Sequence, residues 1–254
     1  MMAPNMILTD QICDFSGAIK QVYVDFHAHI LPGADHGSQN INMSMTLLRA
    51  AASAGVDTIV ATPHFYPSKG ESVGDFILRR EQAFEQLRQA LEQASPDLCN
   101  IRIIRGAEVM VSGTLCDLPG LEQLCIEHTR YMLIERRPEL PLTNSECNVY
   151  LRLQSVYGIT PVIAHIDRYD PAAVEELAQL ELPMQINASG LCGFPSRRRC
   201  RRWLQAGNVC ALGSDVHRDP KAYRDFQRAN HILGAQAAAL AQLAREILAN
   251  QKLW

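Results

Sequence analysis

The sequence has 254 residues, enough for one large domain with a substantial core or for two small domains. Hydrophobic residues make up 47% and charged residues 20%, an ordinary globular composition that excludes the disordered and fibrous classes. The net charge of −3 carries no global signal for nucleic-acid binding. The apolar stretches fall well short of the roughly 18–20 residues that a membrane span requires, so membrane insertion is excluded.

The first 20 residues are predicted to be a poorly ordered N-terminal extension, followed by one domain over 21–254. The segment Met1–Ile7 is mildly apolar but has no Lys or Arg before it, which is unlike a signal peptide. The eight cysteines include no C-x-x-C pair, and the closest two are eight residues apart, so neither a disulfide framework nor a zinc ribbon is indicated. We therefore expect a cytoplasmic protein with mostly reduced, buried cysteines.

Seven short apolar, β-branched runs predict strands, and helical stretches lie between them. The predicted strands are 22–27, 57–61, 101–107, 131–135, 160–165, 183–188 and 208–213. The predicted helices are 43–55, 74–94, 145–157, 171–180, 196–206 and 235–253. Apolar strands that alternate with helices indicate an α/β fold with a covered parallel sheet. Seven such units without a linker favour a closed TIM-like (β/α)7 barrel, and an open doubly wound sheet is the alternative.

Six of the seven predicted strands have His, Asp or Glu at or just past the C-terminal end. The first strand runs into His27 and His29, which share a face because they are two residues apart, and His36 follows in the next loop. The later strands provide His64, Glu108, Glu135, His165, Asp215 and His217. In a parallel barrel these ends meet at one rim, where the active sites of such barrels lie.

These nine residues predict a metal site. Neutral imidazole and carboxylate bind first-row divalent ions, and about three protein ligands per ion would suit two or three ions. A single histidine at a strand end is more often a hydrogen-bonded structural residue, so the prediction depends on the whole set. Glu108 and Glu135 follow apolar runs, and each needs a cation or an arginine such as Arg105 or Arg136 as a partner. We expect His128 and His231 on the surface.

The motifs around these residues resemble the polymerase and histidinol phosphatase (PHP) superfamily. They are DFHAHILPG at 25–33, ATPH at 61–64, GAE at 106–108, AH at 164–165 and GSDVH at 213–217. Within the superfamily, H-I-L-P-G, A-T-P-H and G-S-D-x-H are similar to the bacterial capsule-operon tyrosine phosphatases of the CpsB/CapC/YwqE type. The resemblance extends from about Val22 to the last helix. It implies a distorted seven-stranded β/α barrel with a trinuclear metal site.

The resemblance also implies how the ligands divide among three ions. The sets are His27, His29, Glu108 and Asp215 for one ion, Glu135 and His165 with bridging Glu108 for the second, and His64, His217 and His36 for the third. That branch usually has Asp-Asp-Gly where this chain has Asp35-His36-Gly37, so a histidine replaces one acidic ligand. Manganese is the metal that we expect first, and iron, cobalt and zinc accept the same ligands.

The implied activity is metal-dependent hydrolysis of a phosphomonoester, namely phosphotyrosine on a bacterial protein, with a capsular or exopolysaccharide tyrosine kinase as candidate partner. A water bridging two ions would be acidified towards neutral pH and attack phosphorus in line. Arg168 matches the family's phosphate-contacting arginine, and we expect it to act together with Asp215 and His217. Arg218 and Lys221 are candidates for a second basic contact with the substrate.

Four alternatives remain open from the sequence. A histidinol phosphatase or another small-molecule phosphatase would keep the same site but close a pocket around its ligand. An exonuclease would need a basic groove, for which only the run at Arg197–Arg202 qualifies, and such a run is more often a solvated face or a dock for an acidic tail. The C-x5-R spacing of Cys192 and Arg198 suggests a cysteine-dependent phosphatase, but the usual preceding histidine is missing. The last alternative is a metal-stabilised scaffold without catalysis.

Overall fold

The computed structural model describes residues 22–250. The predicted N-terminal extension, Cys13 and positions 251–253 of the last predicted helix lie outside these residues. The strands within them are β1 (Tyr23–Ala28), β2 (Val56–Ala61), β3 (His64–Phe65), β4 (Arg102–Arg105), β5 (Glu108–Met110), β6 (Tyr131–Glu135), β7 (Thr160–Ile163), β8 (Met184–Asn187) and β9 (Val209–Gly213). The helices are α1 (Ile41–Ser53), α2 (Val73–Glu92), α3 (Pro96–Cys99), α4 (Asn144–Ser155), α5 (Pro171–Gln179), α6 (Ala188–Cys192), α7 (Ser196–Ala206), α8 (Ala222–Leu233) and α9 (Ala235–Leu248).

All paired strands are parallel, and they follow one another around a barrel. A three-stranded sheet has the order β1-β2-β4, and a six-stranded sheet has the order β3-β5-β6-β7-β8-β9. A bridge between Ala28 and Val216 joins β1 to the segment after β9. The amide of His29 donates to the carbonyl of Val216, and the amide of Asp215 donates to the carbonyl of His27, both at 2.8 Å. The predicted barrel with seven strand positions is confirmed, and the open doubly wound sheet is wrong.

One predicted strand is interrupted and another is followed by an extra short strand, neither of which the sequence analysis foresaw. The strand predicted over 101–107 ends at Arg105 and resumes as β5 at Glu108, while β2 resumes as β3 at His64. Pro63 has no backbone N–H to donate to a neighbouring strand, and a Cβ on Gly106 would lie only 3.2 Å from Val60. The two neighbouring strands are therefore interrupted at the same level of the barrel. His64 and Glu108 are therefore register partners at the start of two short strands rather than residues beyond strand ends.

The helices pack against the strands and cover the core. The five earlier predicted helices have their observed ends within about two residues of the prediction, whereas α9 ends at Leu248 rather than at 253. Helix α8 was not predicted, although Tyr223, Phe226 and Leu233 are buried at helical spacing. Helix α9 brings Ile247 into the same buried apolar cluster as the strand residue Phe26. Among residues 22–250, no helix combines the length and hydropathy of a membrane-spanning segment.

A buried carboxylate reinforces the closure of the barrel. Asp25 in β1 accepts hydrogen bonds from the amide of Ser214 at 2.7 Å and from its hydroxyl at 2.6 Å. Burial raises the pKa of Asp25 to about 6, although the hydrogen bonds from Ser214 act in the opposite direction. These bonds connect the first strand to the segment that follows the last one.

Replacing Ser214→Ala removes the hydroxyl donor from this buried carboxyl group. We expect the free energy of unfolding to fall by about 1–3 kcal/mol, the usual cost of a buried polar group that loses its partner. The measurement is urea unfolding in the presence of chelator, so that metal binding does not contribute. Ser155→Ala is the control, because that exposed hydroxyl bonds only to the Leu151 carbonyl of its own helix. Equal stability of the two variants would contradict this role of Ser214.

Candidate metal centre

The structure brings all nine predicted metal-binding residues to the same end of the barrel. They come from β1 and the segment after it (His27, His29, His36), from β3 (His64), from β5 (Glu108), from β6 (Glu135), from the position after β7 (His165) and from the segment after β9 (Asp215, His217). Most of them are buried, and His36 is exposed. These residues lie together because the strands are parallel, so that all of their C-terminal ends lie at this rim of the barrel.

Three groups of side chains are close enough for one ion each to contact all of their members. In each group the ligand atoms lie within 4.8 Å of one another, and the groups are His27, His29, Glu108 and Asp215; His64, Glu108 and Glu135; and His29, His64 and His217. Beside the second group, His165 places Nε2 2.7 Å from Glu108 Oε1 and 3.9 Å from Glu135 Oε2. The ring centroid of His36 lies 4.5 Å from that of His217, so His36 borders the third group.

Glu108 lies at the centre of the cluster. Its Oε2 atom is 3.1 Å from Nε2 of His27, 3.2 Å from Nε2 of His29 and 3.1 Å from Nδ1 of His64. Burial alone would raise the pKa of Glu108, but the charge of His27 and the hydrogen bond from His165 outweigh it, so the pKa lies well below its usual range. A carboxylate is therefore present as an anion in the interior of the protein.

Several ligand atoms of the cluster have no hydrogen-bond partner although they are buried. These atoms are His64 Nδ1, Glu108 Oε2, Glu135 Oε1, His165 Nδ1, Asp215 Oδ1 and His217 Nε2. Some of these atoms are close to one another, since His64 Nδ1 lies 3.1 Å from Glu108 Oε2 and 3.2 Å from Glu135 Oε1, but they form no hydrogen bond. Buried polar atoms are normally hydrogen-bonded, so this set indicates a missing partner. Burial lowers the pKa of His217 to about 4, and the neighbouring His29 adds to this, so its imidazole is neutral near pH 7. The donor set fits divalent metal ions that accept nitrogen and oxygen ligands.

A second layer of residues, which the sequence analysis did not identify, orients the ligands. Asp35 Oδ2 lies 2.6 Å from His29 Nδ1 and accepts the backbone amide of His64 at 3.0 Å, while Oδ1 accepts the amide of Gly37 at 2.8 Å. Burial would raise the pKa of Asp35, but its contacts with His29 outweigh this and lower the pKa. One carboxylate thus fixes two ligands and closes the loop that carries His36.

Strand β8, the only predicted strand without an ionisable residue at its end, supports the site through amides. Gln185 Oε1 lies 3.2 Å from His27 Nδ1 and accepts the amide of His165 at 2.8 Å. Asn187 Nδ2 donates to Asp215 Oδ2 at 3.0 Å. Polar residues at alternate positions of an otherwise apolar strand are the sequence signal that could have revealed this layer.

Of the predicted basic residues, Arg168 lies in the cluster. It follows β7 in the turn Ile166–Arg168, its guanidinium forms an ion pair with Asp215, and 48% of its side chain is exposed. Arg218 lies at the rim, where its Nε donates to the carbonyl of His36 at 2.8 Å. Lys221 is exposed and reaches only Asp219, at 3.8 Å.

Other sequence-based candidates are placed elsewhere. Arg105 pairs with Glu81 and Glu127, and Arg136 pairs with Glu146, so neither provides the arginine partner considered for Glu108 or Glu135. The two histidines expected on the surface, His128 and His231, are exposed.

Cys192 is in an unfavourable position for a nucleophile. It is the last residue of α6 and is half-buried, and its thiol donates to the carbonyl of Asp225 at 3.4 Å. Burial raises the pKa of this thiol, whereas a nucleophilic cysteine needs a lowered pKa. The cysteine-dependent mechanism suggested by the C-x5-R spacing is therefore disfavoured.

A family model described as capsular polysaccharide synthesis, CpsB/CapC, matches residues 23–250. The chain belongs to this family. The tyrosine-protein phosphatase CpsB of Streptococcus pneumoniae is 30% identical over 213 residues, which cover 76% of this chain and 82% of the relative. The tyrosine-protein phosphatase YwqE of Bacillus subtilis is 26% identical over 246 residues, which cover 91% and 93%.

Solved structures show the same fold. A structure described among those of YwqE from Bacillus subtilis and CpsB from Streptococcus pneumoniae, "unique metal-dependent tyrosine phosphatases", aligns with a TM-score of 0.76 at 24% identity and covers 91% of this chain and 96% of that chain. A TatD-family hydrolase from Entamoeba histolytica aligns with a TM-score of 0.55 at 10% identity, covering 93% and 99%. The sequence-based assignment to the CpsB/CapC/YwqE branch is confirmed.

The contacts of Asp35 lead to a prediction about metal affinity. We expect Asp35→Asn to weaken binding of Mn²⁺ by about 10–100-fold, the usual effect of removing an outer-layer carboxylate from a ligating histidine. The measurement is a calorimetric titration of metal-free protein. The control is Asp117→Asn, which changes an exposed carboxylate that pairs with Arg152. Unchanged affinity of Asp35→Asn would show that His29 does not depend on this carboxylate for its orientation.

Proposed function

We propose that this protein is a metal-dependent phosphatase that hydrolyses phosphotyrosine on a protein substrate. The observation that carries the proposal is the set of unpaired, buried ligand atoms around Glu108 with the guanidinium of Arg168 beside it. Metal ions next to an arginine form a site for a phosphate dianion. The names of the CpsB and YwqE relatives, which are tyrosine-protein phosphatases, support the same reaction.

We assign the metal ligands as the resemblance implied. His27, His29, Glu108 and Asp215 would hold one ion; Glu135 and His165, with Glu108 shared, would hold a second; and His64, His217 and His36 would hold a third. When bound, divalent ions supply Lewis acidity and a water that is deprotonated near neutral pH. Manganese is the ion that we propose first, although the nitrogen and oxygen donors also suit iron, cobalt and zinc.

The protein's own side chains bind and orient the phosphate. Arg168 is half-exposed at the edge of the cluster, where its planar guanidinium can move from Asp215 to the phosphate oxygens and bind two of them. Arg218 uses Nε to reach the carbonyl of His36, which leaves its terminal amino groups for a second contact. Lys221 would reach only the outer part of a larger substrate. The tyrosine leaving group, with a pKa of about 10, needs less help from a general acid than an alkoxide would.

His36 distinguishes this site from others in its branch. A neutral imidazole in place of a carboxylate leaves one more positive charge at the third group of ligands once an ion is bound. Although His36 is largely exposed, the partial burial of its ring lowers its pKa, and its neighbour His64 acts in the same direction. The proposed consequence is a third ion that binds less tightly than the other two.

The setting of the reaction is also part of the proposal. The substrate would be a phosphorylated protein of capsular or exopolysaccharide synthesis, with a bacterial tyrosine kinase as first candidate. We propose a cytoplasmic location, which the seven free cysteines among residues 22–250 support. We further propose that residues 21–254 form one domain.

Removing the metal tests the reaction class. We expect chelator-treated protein to release no phosphate from an aryl phosphate, and Mn²⁺ to restore the rate. Phosphotyrosine peptides should be hydrolysed with a higher kcat/KM than histidinol phosphate. Cys192→Ser serves as a check and should keep the wild-type rate. Metal-replete protein that hydrolyses no phosphomonoester would disprove the proposal, and a preference for histidinol phosphate would assign the site to a small substrate.

Arg168→Ala tests the proposed phosphate contact. We expect kcat/KM for an aryl phosphate to fall by about 100-fold, the scale of losing one charged contact to the transition state. Bound metal, measured by elemental analysis, should stay the same, which separates substrate binding from metal binding. Arg49→Ala, on the exposed side of α1, is the matched control. A variant that retains full activity would exclude Arg168 from the site.

A further inference from the structure

Helix α7 presents a row of exposed arginines. Arg198, Arg201 and Arg202 are exposed and spaced at i, i+3 and i+4, so they share one face of the helix. We call these three residues the arginine stripe. The opposite face is occupied, because Cys200 and Trp203 are buried against the protein.

The arginine stripe is poorly neutralised within residues 22–250. The guanidinium of Arg202 pairs with the exposed Glu175 at 3.0 Å, and that of Arg201 donates to the carbonyl of Ile232 at 3.4 Å. The side chain of Arg198 forms no hydrogen bond or ion pair within these residues. The first turn of α7 contains no acidic residue, and positive charges near a helix N-terminus oppose the helix dipole. Repulsion between arginines three and four residues apart adds to this cost. These unfavourable charges would have no benefit on a surface helix that binds nothing.

The stripe begins at the end of the barrel that carries the candidate metal centre. Helix α6 starts directly after Asn187, whose side chain donates to Asp215, and α7 then returns along the barrel towards β9. The N-terminal turn of α7 therefore lies at the site end of the barrel. Helix α7 packs against the turn that carries Arg168, and Asp167 of this turn accepts the amide of Asn187 at 2.7 Å. The N-terminal turn of α7 and the turn that carries Arg168 are therefore neighbours at this end of the barrel.

The stripe lines a groove on the surface. The groove has a volume of about 580 Å³, and its other lining residues are Phe194, Arg197, Arg199 and Gln205. The side chain of Phe194 is 83% exposed, and the aliphatic stems of the arginines extend this apolar contact. A single aromatic residue is too little for insertion into a bilayer, which requires a whole apolar helix face. Charge complementarity instead favours a peptide with carboxylates.

We propose that the arginine stripe binds an acidic, Asp- and Glu-rich segment that flanks the phosphotyrosine of the protein substrate. The inference rests on the proposed phosphatase function and adds a specificity determinant outside the metal centre. The carboxylates would pair with Arg198 and Arg201 and would compete with Glu175 for Arg202. A small aryl phosphate does not reach the stripe, so its hydrolysis is independent of it.

The test compares R198Q/R201Q/R202Q with the control R49Q/R88Q/R102Q, which removes three exposed arginines from α1, α2 and β4. The substrates are a phosphotyrosine peptide flanked by Asp and Glu, the same peptide with Asn and Gln, and an aryl phosphate. For the stripe variant we expect KM for the acidic peptide to rise about tenfold, as for the loss of three exposed ion pairs, with kcat unchanged. The other two substrates and the control variant should show wild-type values.

A binding measurement separates this inference from the proposed function. Peptides with a non-hydrolysable phosphonate in place of the phosphate ester are titrated by fluorescence anisotropy, which needs no turnover. Loss of affinity confined to the acidic peptide and the stripe variant supports the inference, even if the enzyme hydrolyses no phosphate. Equal affinity of the acidic and neutral peptides for the wild-type protein would overturn it. Stripe-dependent binding to vesicles of anionic lipid, without an effect on peptides, would assign the surface to a membrane instead.

Discussion

The carboxylate of Glu108 is buried with four imidazoles at 2.7–3.2 Å from its oxygens, and two more acidic side chains, Glu135 and Asp215, lie in the same cluster. Anionic groups in a protein interior are stable only when cations or donors neutralise them. The neighbouring histidines fill this role only in part, because several atoms of the cluster form no hydrogen bond although imidazoles lie close to them. Bound divalent cations would satisfy both the charge and the unpaired atoms.

The barrel is organised around this requirement. The strand interruptions at Pro63, after β2, and at Gly106, after β4, place His64 and Glu108 opposite each other. The loop after β1 is equally constrained, since a Cβ on Gly37 would lie 2.4 Å from the Cβ of His29. Only glycine allows the loop to approach His29 this closely. In this loop conformation Asp35 contacts the ring of His29 and also accepts the backbone amide of His64. Local backbone geometry thus positions the ligands of the third group.

Much of the fold, and the meeting of the candidate ligands at one end of the barrel, could be predicted from the sequence. Strand periodicity and the convergence of parallel strand ends were enough to predict that His29 and His217 lie close together although they are 188 positions apart in the chain. The outer layer was not predictable by the same logic. Gln185 and Asn187 are recognisable as polar residues in an apolar strand, but the side chains that they contact depend on which elements lie beside β8. The interruptions after β2 and β4 likewise depend on contact between two strands that are distant in sequence.

The proposed reaction divides the surface into parts with different tasks. The buried cluster would supply the metal ions, Arg168 the phosphate contact, and α7 the recognition of the surrounding peptide. This division shows how a chain with a net charge of −3 can attract an anionic substrate, because Arg168 and Arg218 lie at the site and α7 carries a local cluster of positive charge. Five of its 24 Lys and Arg residues lie within the eleven residues of α7.

Anomalous X-ray diffraction from crystals grown with Mn²⁺ is the most direct measurement of whether the cluster holds cations. We expect anomalous difference peaks between Glu108 and its surrounding histidines, with a weaker peak next to His36. An absence of peaks at this end of the barrel, in crystals of protein saturated with Mn²⁺, would contradict the assignment of these residues as a metal centre.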